Sequence, residues 1–317
     1  MRKNINEETI SGRIFEHTLE EKVSKKGIPY VSGDIKVATD EEGLNVITVN
    51  FTYIADCYPA KEGQTPKKNK NYPIVKNIIA NGKTWAKDGK DAALKIQIKG
   101  AIGVNNFVSK DGTMIAAMRN EGSFINIISE LPQPEKKKTN DFNVDIIINR
   151  VTSMEDADGN DLGYDEVGGR IFTYQGLAIP VTFIVKRRDG RDYFESLDAS
   201  NSNLIYTNVS GKIESLTKTT QKVIESAFGE PTVIPTTTTV KAWVIDRSNP
   251  TTFELDSPDT MTVEDVKRAV QAYEIHLAEV QKNHDEYIAG QASGSATPSN
   301  TTAPAPAPAQ KAQFAGF

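Results

Sequence analysis

Short alternating runs of apolar and polar residues fill most of the first 250 positions, and an apolar stripe at helical spacing follows them. Gly12-Arg13-Ile14-Phe15 opens a first strand. Tyr30–Ala38 sets Val31, Ile35 and Val37 on one face against Tyr30, Ser32, Asp34 and Lys36 on the other. Asn45–Ile54 sets Ile47, Val49, Phe51 and Tyr53 against Thr48, Asn50 and Thr52, which assigns Phe51 and Tyr53 to a core. Tyr72–Ala80, following a long excursion without strand character, predicts a short helix. Leu94–Ile102 alternates again, and Ser109-Lys110-Asp111-Gly112 turns a hairpin between Ile102–Val108 and Thr113–Met118. Ser123–Ile128 completes the set. Five strands with a helix between the third and fourth predict a Greek-key barrel of the OB type.

After a Pro-rich and Lys-rich stretch the rhythm repeats. Strands are expected at Asn143–Val151, Arg170–Tyr174, Val181–Arg187, Asp192–Leu197, Tyr206–Leu216 and Val240–Ile245, with Asp189-Gly190 as a hairpin turn and a helix over Thr219–Phe228. Ser257-Pro258-Asp259 announces a helix, and Thr262 and Asp265 stand at capping-box spacing. Val266, Val270, Tyr273, Leu277 and Val280 form its stripe, suited to packing on a barrel or to pairing with a sister helix, and Gly290 marks its stop. The fold class is therefore mainly β: two tandem OB-fold-like Greek-key barrels, a C-terminal α-helix and a disordered tail. The expected division is 1–131 for the first barrel, 132–141 for a linker, 142–256 for the second barrel, 257–289 for the helix and 290–317 for an Ala/Pro-rich tail ending in a terminal peptide.

Charge changes the picture once it is divided along the chain. The 317 residues carry a net −5, but residues 1–139 hold 22 basic and 17 acidic side chains and the remainder is acidic by ten. Between positions 61 and 99 ten basic residues face three acidic ones, with rings interleaved. Positive charge among aromatics beside a half-buried sheet suits an unpaired polynucleotide, whose phosphates pair with ammonium groups while bases stack on rings. The candidates in the first barrel are Tyr30, Lys36, Tyr58, Lys67, Lys68, Lys70, Tyr72, Lys83, Trp85, Lys87, Lys95 and Lys99. Taken singly, each lysine is more readily a solvated surface residue; the clustering carries the reading. In the second barrel Arg187, Arg188 and Arg191 surround the expected Asp189-Gly190 tip.

Reactive chemistry is sparse. The lone Cys57 forms no internal disulfide and points to a reducing, cytoplasmic setting. Three histidines are scattered, with His276 and His284 eight apart. Gly82-Lys83-Thr84 lacks the glycine of a phosphate loop, since Asn77 stands there. Asp156, Asp158 and Asn160 have calcium-loop spacing, but Asp161 and Val167 replace the required glycine and glutamate, so a plain turn is expected. No metal, cofactor or catalytic activity is expected, and no run is apolar and long enough for a membrane span.

Gly12-Arg13-Ile14, the Lys99-Gly100-Ala101-Ile102 strand with its hairpin, and the Ala-Pro tether ending in Phe317 resemble single-stranded DNA-binding proteins. The likeness is to the large two-barrel versions of tailed phages of Gram-positive bacteria, good over about 10–130 and weaker over 142–250. It implies barrels that coat single strands without sequence preference in DNA replication and recombination, in the host cytoplasm for a phage protein. It also implies a C-terminal tip, here Phe314 and Phe317, that docks on replication or recombination proteins. The tip departs from the family pattern in holding Lys311 and no acid. RNA is an alternative ligand, and self-association a further expectation. The competing reading is a β-barrel structural or adaptor protein of a virion or assembly, using the C-terminal helix for association.

Overall fold

The structure, a computed structural model, describes residues 4–58, 65–133, 139–156, 158–224, 232–257 and 260–292, with 216–224, 232–240 and 291–292 as backbone only. The expected terminal peptide, Phe314 and Phe317 included, lies outside the described residues, as does the tail from 293.

In chain order the first half contains β1 (Asn6–His17), β2 (Glu20–Val23), β3 (Pro29–Ala38), β4 (Val46–Ala55), β5 (Cys57–Tyr58), β6 (Lys67–Lys68), α1 (Asn71–Asn81), α2 (Trp85–Asp88), β7 (Lys95–Val108) and β8 (Met114–Ile127). β1 pairs antiparallel with β3 and β7, β3 with β4, and β7 with β8; a parallel contact between β4 and β8 closes the ring. The second half contains β9 (Asn140–Glu155), β10 (Asp161–Phe172), β11 (Ala178–Val185), α3 (Arg188–Ser196), β12 (Ile205–Ile224), β13 (Thr232–Ser248) and α4 (Val263–Ala292). Its strands close identically, with β9 between β10 and β12 and a parallel β11–β13 contact. Both rings have the five-stranded OB-fold order, with a helix between third and fourth strands.

The repeat reaches down to defects in the register. Phe15 is skipped in the β1–β3 ladder and Asn149 in the β9–β10 ladder, at equivalent places in each barrel's opening strand. Gly100 and Gly211 sit at equivalent bulges in the fourth strands, and a Cβ there would fall 2.1 Å from the Glu121 carbonyl oxygen and 1.8 Å from that of Val244. Only glycine allows that closeness of backbones.

The two barrels share a sheet. β1 and β9 pair antiparallel, Asn6 with Val144 and Glu8 with Phe142, and β9 opens at Asn140, inside the stretch expected to be a linker. Buried residues of both barrels, from Ile10 and Val49 to Phe183 and Ile245, form one continuous core. Polar ties reinforce the joint. The Trp243 indole donates to Asn120 Oδ1 at 3.1 Å, Asn120 Nδ2 donates to the Thr48 carbonyl, and the Ser215 amide donates to Asn45 Oδ1 at 2.7 Å.

Three expected elements differ. The Asp189-Gly190 tip and the strand after it form a helix, α3: Arg187 folds back onto Asp189, and Phe194 is buried in the core with Tyr193 and Leu197 packed partly against it, a helical spacing. The helix expected over 219–228 is β12 as far as Ile224, held in an antiparallel ladder against Thr232–Val240. α4 runs on through Gly290 to Ala292. At its start the capping box forms: Thr262 Oγ1 accepts from the Asp265 amide at 3.0 Å, and the Thr262 amide donates to Asp265 Oδ2 at 3.2 Å.

One polar group sits uneasily in the joint. Glu8, paired with Phe142, is 3% exposed, and neither carboxylate oxygen has a hydrogen-bond partner among the described residues. Burial, and then the Glu121 carboxylate, push its pKa well above the usual range. The folded chain keeps Glu8 protonated at pH values where the unfolded chain ionises it, so stability falls as pH rises from about 4.3 toward the folded value, by ~1.4 kcal/mol per pKa unit. Glu8→Gln should abolish that decline: urea denaturation of variant and parent should agree near pH 4 and diverge in the variant's favour by pH 8. Parallel pH profiles would count against a neutral, buried Glu8. Asn120→Ala, which orphans the Trp243 indole N–H, should cost ~1–3 kcal/mol in the same assay.

Candidate nucleic-acid interface

Exposed rings gather on the outside of β3, β4 and β8. Tyr30, half-buried on β3, lies against Tyr53 of β4 with centroids 4.5 Å apart and planes at 35°. Tyr53 was expected in the core by its parity with Phe51, yet it is 50% exposed while Phe51 is buried. The cause is an extra residue in β4: Gly33 pairs with Phe51, but Val31 pairs with Ile54. That bulge carries the inward parity from Phe51 to Ile54 and turns Tyr53 outward. A second bulge acts on β8. Gly100 pairs with Gly122 and Lys99 with Phe124, so Ser123 is skipped and Phe124 stands 57% exposed opposite an exposed Lys99.

Basic residues adjoin these rings. Beyond β4 the chain bends at Asp56 into Tyr58, which is 46% exposed and donates its hydroxyl to Asn69 Oδ1 at 3.1 Å. The two-residue strands pair Tyr58 with Lys67 and Cys57 with Lys68. Lys70 follows at the start of α1, and Asn71 anchors that helix to β8, donating to the Ser123 carbonyl at 3.0 Å and accepting from the Ile125 amide at 3.3 Å, one on each side of Phe124. Lys67, Lys68, Lys70 and Lys99 are exposed and, among the described residues, in no ion pair. The arrangement offers stacking surfaces, set by two bulges, with uncompensated positive charge beside them.

The other candidates divide. Tyr72 is withdrawn from the face: it is 8% exposed within the core, with Lys76 above its ring and tied to Glu21 at 3.0 Å. Its helix needs an apolar anchor, and Tyr72, Val75 and Ile78 supply one side of it. Trp85 lies elsewhere, half-buried over β1 against Phe15 with centroids 6.2 Å apart. Lys83 and Lys87 are exposed on that side, and Lys87 is close enough to His17 to help lower its pKa, second to burial. Lys90 there is bound to Glu41 at 2.6 Å, and it and Arg13 hold the Glu41 carboxyl below its ordinary range. Lys36 is paired with Glu16, and Lys95 donates to the Ser129 carbonyl.

In the second barrel the arginines are largely spent on carboxylates. Arg187 binds Asp189 at 2.7 Å, and Arg191 binds Asp161 and the fully buried Asp165 at 2.9 and 2.8 Å; Arg188 is exposed without an ion pair among the described residues. A cleft of about 370 Å³ between α3 and the end of β13 holds Arg187 and Arg247 together with Asp189 and Asp246. Among the described residues no group of three or more His, Cys, Asp or Glu is placed to hold a metal, and no helix is long and apolar enough to cross a membrane. Asp156 accepts from the Asp158 and Asn160 amides, making the expected turn.

Sequence reasoning missed Tyr53 and Phe124. The signal was present in Tyr53-Ile54 and Phe124-Ile125, adjacent apolar residues where strict alternation forbids them.

Fold and site together define a tandem OB-fold protein with a ring-and-lysine face on its first barrel. The chain belongs to the YorF family, matched over residues 4–283. Among curated proteins none matches. Among solved structures it is similar to the single-stranded DNA binding protein from Thermus aquaticus. A deletion and point variant of that protein has a TM-score of 0.45 at 10% identity, covering 82% of this chain and 100% of the other. The wild-type form has a TM-score of 0.44 at 10% identity, covering 81% and 98%.

Truncating the outward rings separates the two kinds of tyrosine. Tyr53→Ala with Phe124→Ala should weaken binding of a fluorescent (dT) oligomer by ~1–3 kcal/mol per ring with an unchanged melting temperature. Tyr72→Ala should instead unfold the chain more easily, by ~3–5 kcal/mol, and Tyr72→Phe should leave affinity unaltered. Anisotropy and thermal melts read both, and a binding defect in Tyr72→Phe would return that residue to the interface.

Proposed function

We propose that this protein binds single-stranded DNA without sequence preference, bases resting on Tyr30, Tyr53, Tyr58 and Phe124 and phosphates on Lys67, Lys68, Lys70 and Lys99. One observation carries the reading: bulges turn Tyr53 and Phe124 out of the core, Tyr53 beside Tyr30 on the second- and third-strand face that OB folds use for oligonucleotides, next to lysines that have no acidic partner among the described residues. The side chains offer π-faces and point charges, which every base and every phosphate can meet, and that favours tolerance of sequence. The reading extends, as the sequence resemblance implies, to a role in DNA replication or recombination in a phage setting, with partner proteins engaging Phe314 and Phe317. RNA shares the stacking and phosphate chemistry, so the preference for DNA is part of the proposal.

The assembly reading is weaker for a stated reason. Val266 and Tyr273 of the α4 stripe are buried on the chain's own barrels, with Val270 and Leu277 packed partly against them, which leaves less of it for a sister helix.

Salt dependence tests the electrostatic half. With about four phosphates neutralised, log K should fall with log salt at a slope near −3, about 0.7 for each contact. Lys67→Glu with Lys68→Glu should flatten that slope and weaken DNA and RNA oligomers together. A slope near zero, or affinity unchanged in the variant, would sink the proposal.

A further inference from the structure

Two tandem barrels suggest two sites, but the face that carries the rings in the first barrel is occupied in the second. The equivalent strands are β10 and β11. Of their outward residues, Tyr164 and Ile184, toward the end that matches Tyr30 and Tyr53, are 3% and 5% exposed, and at the hairpin end Phe172 is 4% exposed and Ala178 0%. The first turns of α4 lie on them, with Val266 and Ala269 packed against Phe172, Ala178 and Ile147. Further along α4, buried Tyr273 donates its hydroxyl to Asn106 Oδ1 at 2.7 Å, joining the helix to the β7–β8 arm of the first barrel. That arm also reaches β11, where the Thr182 amide lies 3.2 Å from the Met118 sulfur. Helix and arm together roof the second barrel's oligonucleotide face.

Charge points the same way. Around that face Arg150 is paired with Glu166, Arg191 with Asp161 and Asp165, and Arg170 donates to the Ala178 carbonyl at 2.9 Å. A phosphate arriving at Arg150 or Arg191 would have to displace a carboxylate already in contact, whereas among the described residues no carboxylate pairs with Lys67, Lys68, Lys70 or Lys99 on the first barrel. Breaking the buried Arg191–Asp165 contact is the costliest of these, since Asp165 would be left charged inside the fold.

Building on the proposed single-strand reading, we infer that each chain holds one strand only, on the first barrel, and that the second barrel has been converted into a clamp for α4. The footprint is then that of one OB fold, about 4–16 nucleotides, in a chain long enough for two. The second barrel's part is indirect: through the shared β1–β9 sheet and the arm it fixes the first barrel in place.

Native mass spectrometry of the full chain with excess (dT)8 at low salt tests this directly, alongside Tyr53→Ala/Phe124→Ala. One oligomer per parent chain is expected, with a loss of at least tenfold in the bound fraction for the variant and no second species. Two oligomers per parent chain, with one retained by the variant, would place a site on the second barrel and overturn the inference while leaving the first-barrel reading intact. No bound oligomer at any concentration would overturn both.

Discussion

Antiparallel pairing between the opening strands of the two barrels is the constraint from which the rest follows. Because β1 meets β9 with Glu8 opposite Phe142, equivalent residues of the two repeats, the barrels are related by a local two-fold passing through that pair. Each barrel's fourth strand then contacts the other's third: β7 against β11, β12 against β4. Backbone hydrogen bonds and a common core join the barrels, so relative motion of the barrels would break a ladder and expose Trp243 and Asn120.

Symmetry of fold has not kept symmetry of use. In the first barrel the second- and third-strand face is open, and a bulge on β4 and another on β8 each turn one ring outward. In the second barrel the same face is apolar and buried at Tyr164 and Ile184, and its hairpin end, Phe172 and Ala178, is covered by α4. The division of charge fits: among the described residues Lys67, Lys68, Lys70 and Lys99 of the first barrel stand in no ion pair, while Arg150, Arg187 and Arg191 of the second are held by aspartates and glutamates. Glu8 is the cost of divergence at the joint, a carboxyl where the sister position is Phe142, stable only while it keeps its proton.

Much of the fold was legible because strands buried on one face must alternate. Val31, Ile35 and Val37, or Ile47, Val49 and Phe51, announce themselves. The errors fall where a local rule was overridden. Tyr53 and Phe124 were misplaced or passed over because a single inserted residue reverses parity, and a bulge has no compositional mark beyond two adjacent apolar residues. Tyr72 looked like a binding ring because it sits among lysines in sequence, yet it begins a helix that anchors through Tyr72, Val75 and Ile78, and the one lysine of that helix, Lys76, closes over its ring. The basic run itself divides between two sides of the barrel, since α2 carries Trp85 over β1 while Tyr58 and Lys67 remain at the end of β4. The Arg187–Asp189 tip was misread as a hairpin because Asp-Gly is as good a helix opening as a turn when the first carboxylate is captured by the preceding arginine.

The account turns on where an unpaired strand touches the molecule, and photochemical cross-linking with an iododeoxyuridine oligomer followed by peptide mapping reads that contact. Adducts at Tyr30, Tyr53, Tyr58 or Phe124 are predicted. Adducts confined to Trp85, or to peptides of the second barrel such as 161–196, would contradict it.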